Sequence, residues 1–146
     1  MNSREDLQRS LHRLIPLAAA MRIEVAELDE RSLTLTAPLA ANHNHAGSAF
    51  AGSLYSLASL AGWAILRELV QRHELAPQLL LGTGNIRYSR PLHAELAAVV
   101  SLSATQCETI LQRLRSGRSA STELTVFLPD RQSPCAVFSG TYFAKP

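Results

Sequence analysis

The stretch NHNHAGSAFAGSLYSLASLAGW, Asn42 to Trp63, decides how the chain is organised. Its head (Asn42, His43, Asn44, His45, Gly47, Ser48) has the composition of a turn, and it passes without a proline into small and apolar residues. That is a loop feeding a buried helix. From Phe50 to His73 only Gly52 and Gly62 oppose a helix, which at ~1.5 Å per residue would be roughly 35 Å long. Gly52, Ser56, Ser59 and Trp63 share one face, and Phe50, Leu54, Leu57 and Ala61 form a second, apolar one. Charge enters only at Arg67 and Glu68, followed by Arg72 and Glu74, so the first half is expected inside protein and the last turns in solvent. A helix this rich in Gly, Ala and Ser lets other backbone come close, and a curved sheet is its natural wrapper.

Working outward, Ser3 to Leu17 predicts a short amphipathic helix. Ser3 is its N-cap, Glu5 and Asp6 lie in its first turn, Leu7, Leu11, Leu14 and Ile15 share one side, and Pro16 marks its end. Met21 to Leu28 and Ser32 to Ala37 alternate apolar and polar residues about Asp29, Glu30 and Arg31, which is a hairpin. Beyond the helix, Ala76 and Pro77 break the pattern. Leu79 to Arg90 then predicts a long strand, with Gly82 and Gly84 suggesting a bulge or a close backbone contact. Ala94 to Thr105 supplies another strand, Gln106 to Arg115 a short helix, and Ser119 to Leu128 and Cys135 to Phe143 two more strands about the turn 129–134. The expected architecture is α+β: about six antiparallel strands curling round one long helix, as a single domain over 1–146.

Composition excludes several classes. With 146 residues, 47% hydrophobic and 18% charged, the chain has material for a large core and needs no staples. Cys107 and Cys135 lack metal-ligand spacing and read as two buried thiols rather than a disulfide. The N-terminus carries acids and no uninterrupted apolar core, so no signal peptide is expected, and no membrane span; a cytoplasmic protein is the expectation. The net charge of +2 is uneven, residues 87–146 being the basic part, but no aromatic-interleaved basic stripe supports nucleic-acid binding.

The order of elements, together with PLAANHNHAGSAFAGSLYSLASLAGW, resembles the hotdog fold of acyl-thioester enzymes. More narrowly, nearly the whole chain is similar to the putative-thioesterase domain that some relatives carry behind a GNAT-type acetyltransferase domain. Here 146 residues hold the hotdog, and the acetyltransferase half is expected to be absent. Thioester hydrolysis places negative charge on the carbonyl oxygen, and a helix N-terminus supplies N–H donors for it. The first free ones are expected near Ala51, Gly52 and Ser53, with Gly52 allowing a ligand close to the backbone. In the hotdog thioesterases that this chain resembles, a His-Gly-Gly segment opens the helix, an Asn precedes it, and an acid lies one or two turns on. Phe50, Ala51 and Gly52 take the place of that segment, Asn44 that of the Asn, and Ser59 that of the acid. Serine cannot act as a carboxylate base, so another group must activate water. His45 is the first titratable candidate in the loop and His43 the next; Asn42, Asn44, Ser53, Ser56 and Ser59 could hold water or substrate by hydrogen bonds. No GxSxG elbow indicates a Ser-His-Asp triad. Should the ligand be a coenzyme A thioester, Arg90 and Arg118 are candidates for its phosphates.

Plainer readings stand beside these. Ser56 and Ser59 suit close packing, Asn42 and Asn44 suit turn shaping and helix capping, and His43 with His45 lacks a third metal ligand. His12, His73 and His93 read as solvated, and Tyr55 and Trp63 as core or interface. The resemblance implies an acyl-CoA or acyl-carrier-protein thioesterase without cofactor or metal. A homodimer or homotetramer joined through the strand around Leu80 to Tyr88 is expected, with no nucleic-acid or membrane partner. The alternative is a non-catalytic acyl-thioester binding or scaffold module. A dehydratase would need an acid facing a His at the helix start, and none is there.

Overall fold

The computed structural model describes residues 3–146. Helix α1 (Arg4–Leu14) opens with the expected cap: the Ser3 hydroxyl accepts from the Asp6 N–H and the Asp6 carboxylate accepts from the Ser3 N–H. Leu7 and Leu11 are buried, whereas Leu14 is exposed. The single N-terminal helix expected to Leu17 is in fact two. Ile15 turns extended (φ −128°, ψ 98°), and Pro16, rather than ending α1, starts a short helix α2 (Pro16–Ala20), the first-turn place its fixed φ suits. Arg22 then takes a left-handed φ of 58°, which delays strand β1 (Glu24–Leu28) three residues beyond the expected start at Met21.

Strands β2 (Ser32–Ala37), β3 (Gln78–Tyr88), β4 (Leu96–Ser101), β5 (Ala120–Leu128) and β6 (Ala136–Lys145) complete one six-stranded, curved antiparallel sheet in the order β1-β2-β4-β5-β6-β3. Helix α3 (Ala51–Arg72) lies against five of these strands, and α4 (Ala104–Arg115) joins β4 to β5. At 22 residues α3 spans about 33 Å. Leu54, Leu57 and Ala61 of the expected apolar face are fully enclosed, but Phe50 is not: it is the N-cap and half exposed. Burial also continues beyond Ala64, to Glu68 and Val70, and the C-terminal end is exposed only from Gln71 onward, whereas the first turn, expected inside protein, has Ala51 exposed and Gly52 and Ser53 half-buried.

Two glycines let aromatic side chains lock helix to sheet. A Cβ on Gly62 would overlap the ring and hydroxyl of Tyr142, which is buried and donates to the Ser59 carbonyl at 2.7 Å. A Cβ on Gly84 would strike the hydroxyl of Tyr55, whose ring meets Phe138 edge-on, 5.2 Å between centroids. The register slips between Leu81 and Thr83, so the bulge expected from the glycines falls at Gly82.

The two cysteines are free; Cys135 is buried, while Cys107 is only half-buried on α4. His12 is not solvated: its Nε2–H donates to the Ile23 carbonyl at 2.6 Å, pinning α1 on the entry to β1. His73 accepts from Arg115 Nη2 at 3.1 Å, and His93 is exposed. No helix among the described residues is long and apolar enough to cross a membrane.

Candidate active site

The loop before α3 is built by its two asparagines. Asn42 is buried, and its Nδ2 donates to the carbonyls of Met21 and Pro38, each at 2.9 Å, while its backbone carbonyl accepts from the Phe50 N–H at 2.8 Å. It therefore ties the end of α2, the turn before the loop and the start of α3 together, which leaves its side chain inside the fold rather than facing a substrate. Asn44 folds the loop on itself. Its Oδ1 accepts from the N–H groups of Ala46 (2.8 Å) and Ser48 (3.1 Å), and its Nδ2 donates to the Ser48 hydroxyl at 2.8 Å. Gly47, at φ 85°, supplies the left-handed residue that the turn requires. The exposed His43 donates from Nδ1 to the Asn44 carbonyl at 2.9 Å. His45 is exposed and makes no side-chain hydrogen bond among the described residues.

The loop delivers a helix start without a cap. Phe50 has the extended backbone of an N-cap (φ −67°, ψ 131°) but no side-chain acceptor. Its carbonyl accepts from the N–H groups of both Ser53 (3.0 Å) and Leu54 (3.1 Å), so the Ser53 amide, expected to be free, is committed. The N–H groups of Ala51 and Gly52 enter none of the hydrogen bonds of the described residues. The Phe50 ring leans over Gly52, where a Cβ would come within 2.5 Å of it.

From the far side Tyr88, on β3, donates to the Ala51 carbonyl at 2.7 Å and steadies this first turn. Burial, with a smaller effect from Tyr55, pushes the Tyr88 hydroxyl up from its ordinary value, so it keeps the proton it donates. Its position at the end of a long strand gave no local signal of this role.

One turn beyond Gly52 a cavity of about 260 Å³ opens along α3. Ser56, Ser59 and Trp63, the face expected from helical spacing, form one wall. The opposite wall, from Ile15, Leu17 and Met21 at the α2 segment and Leu81 of β3, was not anticipated: the run 15–21 is apolar but has neither helix nor strand period. Among the described residues of the lining the two serines carry the hydroxyl groups, and the Ser59 hydroxyl donates to the Ser56 carbonyl at 3.1 Å. Among the described residues neither carboxylate nor imidazole lines it.

The arginines lie elsewhere. Arg90 is at the same end of the domain, but its guanidinium holds the turn before β6: Nε donates to Asp130 at 3.2 Å, Nη1 to the Ser133 hydroxyl at 3.0 Å, and Nη2 to the Ser133 carbonyl. It is a clamp on that turn instead of a free phosphate ligand. Arg118 follows α4 next to Ala120, which borders Val70; about 28 Å of helix separates Val70 from Ala51. One molecule cannot bring Arg118 to the helix start. Among the described residues no group of three or more His, Cys, Asp or Glu could hold a metal ion.

A curved antiparallel sheet wrapped round a central helix, with an uncapped helix start above an apolar cleft, defines a hotdog domain of the thioesterase type. The chain matches over residues 4–146 the family described as putative thioesterase (yiiD_Cterm), and it belongs to that family. It is similar to a putative thioesterase from Shewanella oneidensis, at 30% identity over 98% of this chain and 97% of that one, with a TM-score of 0.89. A probable thioesterase from Pseudomonas aeruginosa (24% identity, 99% and 97% covered, TM-score 0.82) and a thioesterase from Haemophilus influenzae (14%, 99% and 91%, TM-score 0.75) share the fold.

Proposed function

We propose that the protein hydrolyses acyl thioesters of coenzyme A or of acyl carrier protein at the start of α3. Water adds to the thioester carbon, the carbonyl oxygen takes up negative charge, and the C–S bond then breaks to release thiol and carboxylic acid. The N–H groups of Ala51 and Gly52 hold that oxygen, helped by the positive end of the α3 dipole. The observation that carries this reading is the pair of uncommitted amides at a helix start whose N-cap side chain offers no acceptor, above an apolar cleft. His45, exposed on the adjoining loop and unbonded, is the group assigned to water. Asn44 positions that loop, and Ser53, Ser56 and Ser59 supply polar contacts. Strand β3 is an unpaired edge eleven residues long with exposed Leu80 and Tyr88, which supports assembly of two or more copies along it.

One observation favours a second reading, a module that binds acyl thioesters without cleaving them: among the described residues the cavity lining holds no carboxylate or imidazole. Thiol release from a panel of acyl-CoAs and acyl carrier proteins separates the two. Hydrolysis that falls about 10²-fold or more in His45→Ala supports the enzyme and its base. Rates unchanged from wild type in both His45→Ala and Asn44→Ala remove both residues from the mechanism. Ligand-induced thermal stabilisation with no thiol release supports the module.

A further inference from the structure

Trp63 borders two cavities. On one side is the 260 Å³ cleft below the helix start; on the other is a space of about 190 Å³ walled by Arg67, Val70, Gln71, Leu75, Pro77 and Leu79 at the turn from α3 to β3. The indole stands between them and is held there. Its Nε1–H donates to the Leu79 carbonyl at 3.2 Å, and the Arg67 guanidinium carbon lies 6.0 Å from the ring centroid. Two contacts, to the β3 backbone and to Arg67 one turn on, leave it little freedom to swing aside.

We propose that Trp63 is the residue that limits acyl-chain length, acting as a fixed partition across what would otherwise be one continuous channel along α3. The inference rests on the thioester reading, because it takes the carbonyl to sit at Ala51 and Gly52. Side chains on a helix cover the turn N-terminal to their own position, so the indole closes the cleft near the level of Ser59 and Leu60. From Gly52 to that level is about 10 to 12 Å of helix. An extended alkyl chain with C–C bonds of ~1.5 Å advances about 1.25 Å per carbon, so about 8 to 10 carbons reach the indole.

The test compares octanoyl-, decanoyl- and myristoyl-CoA as substrates of the wild type and of Trp63→Leu, with Trp63→Phe as a milder opening should the leucine variant not fold. In the wild type kcat/KM peaks at octanoyl or decanoyl and falls about tenfold or more for myristoyl, whose excess carbons meet the partition. In Trp63→Leu the myristoyl value rises to within about threefold of the optimum, carried mainly by KM, and Trp63→Phe lies between. Active variants with the wild-type chain-length profile overturn the inference while leaving the thioester reading intact. Absence of thiol release from every substrate overturns the thioester reading instead, and the partition is then decided by binding. Trp63 is the only tryptophan, so octanoic, decanoic and myristic acids are titrated against its fluorescence in the wild type and by thermal shift in the variants. A blue shift with the two shorter acids, and myristic acid stabilising only the variants, supports the partition. No spectral change with any acid, or equal myristic acid binding by wild type and variants, overturns it.

Discussion

Replacing Ala51 by proline deletes one proposed oxyanion donor while leaving the helix its other bonds. Ala51 is the first residue of α3, where the pyrrolidine ring fits and no helical N–H bond is lost. Phe50 before it already has φ −67° and ψ 131°, the extended conformation that a following proline imposes. The Ala51 N–H bonds to nothing among the described residues, and the carbonyl that accepts from Tyr88 is untouched. Stability should therefore stay within about 0.5 kcal/mol of wild type, or rise by up to about 1 kcal/mol through the restricted unfolded chain. Activity should not be spared. Loss of one preorganised donor costs about 10² to 10³ in turnover, about 2.7 to 4 kcal/mol of barrier. The assay is thiol release from octanoyl-CoA beside urea unfolding, with Ala51→Gly as the control that keeps the N–H. A proline variant that unfolds like wild type and turns over within threefold of the glycine control refutes the assignment of this amide.

Three further outcomes concern the frame that holds the site. Gly62→Ala drives a methyl into the Tyr142 ring and displaces its hydroxyl from the Ser59 carbonyl, and should lower stability by about 2 to 4 kcal/mol in urea melts. Asn42→Ala leaves the Met21 and Pro38 carbonyls without their partner and should cost roughly 2 to 4 kcal/mol, with loosening of the loop seen as faster amide exchange at Phe50. Asp130 is held below its ordinary value of 3.8 by the Arg131 N–H first and by Arg90 after it, so its contribution is complete above that value and is lost as pH falls through the lowered one. Asp130→Asn should therefore be less stable than wild type at neutral pH, and the gap should close in acid melts well below pH 3.8.

What the sequence made legible was local. The unbroken run from Phe50 to His73 has one dominant conformation, and its spacing alone puts Ser56, Ser59 and Trp63 on the face that lines the cleft. The alternation in 21–28 and 32–37 marked Ile23, Val25, Leu33 and Leu35 as core residues. What escaped was set by partners distant in the chain. Arg90 had the look of a phosphate ligand until Asp130 and Ser133, forty residues on, came within reach of its guanidinium. His12 had the look of a surface residue until the chain reversal at Arg22 brought the Ile23 carbonyl to it. Asn44 matched a family position, yet its amide closes its own loop, a choice between local and ligand bonds that residue type leaves open. The second wall of the cleft depended on Ile15 turning extended ahead of Pro16, and no periodic pattern reports a single dihedral.

The amides at the start of α3 are tested most directly by a crystal structure with a non-hydrolysable octanoyl thioester analogue, a ketone in place of the thioester carbonyl. Its oxygen should lie about 2.7 to 3.1 Å from the nitrogens of Ala51 and Gly52, with the alkyl chain running past Ser56 toward Trp63. An analogue bound with its oxygen away from both nitrogens, or with the Phe50 ring still closed over Gly52 and the cleft empty, would contradict the account.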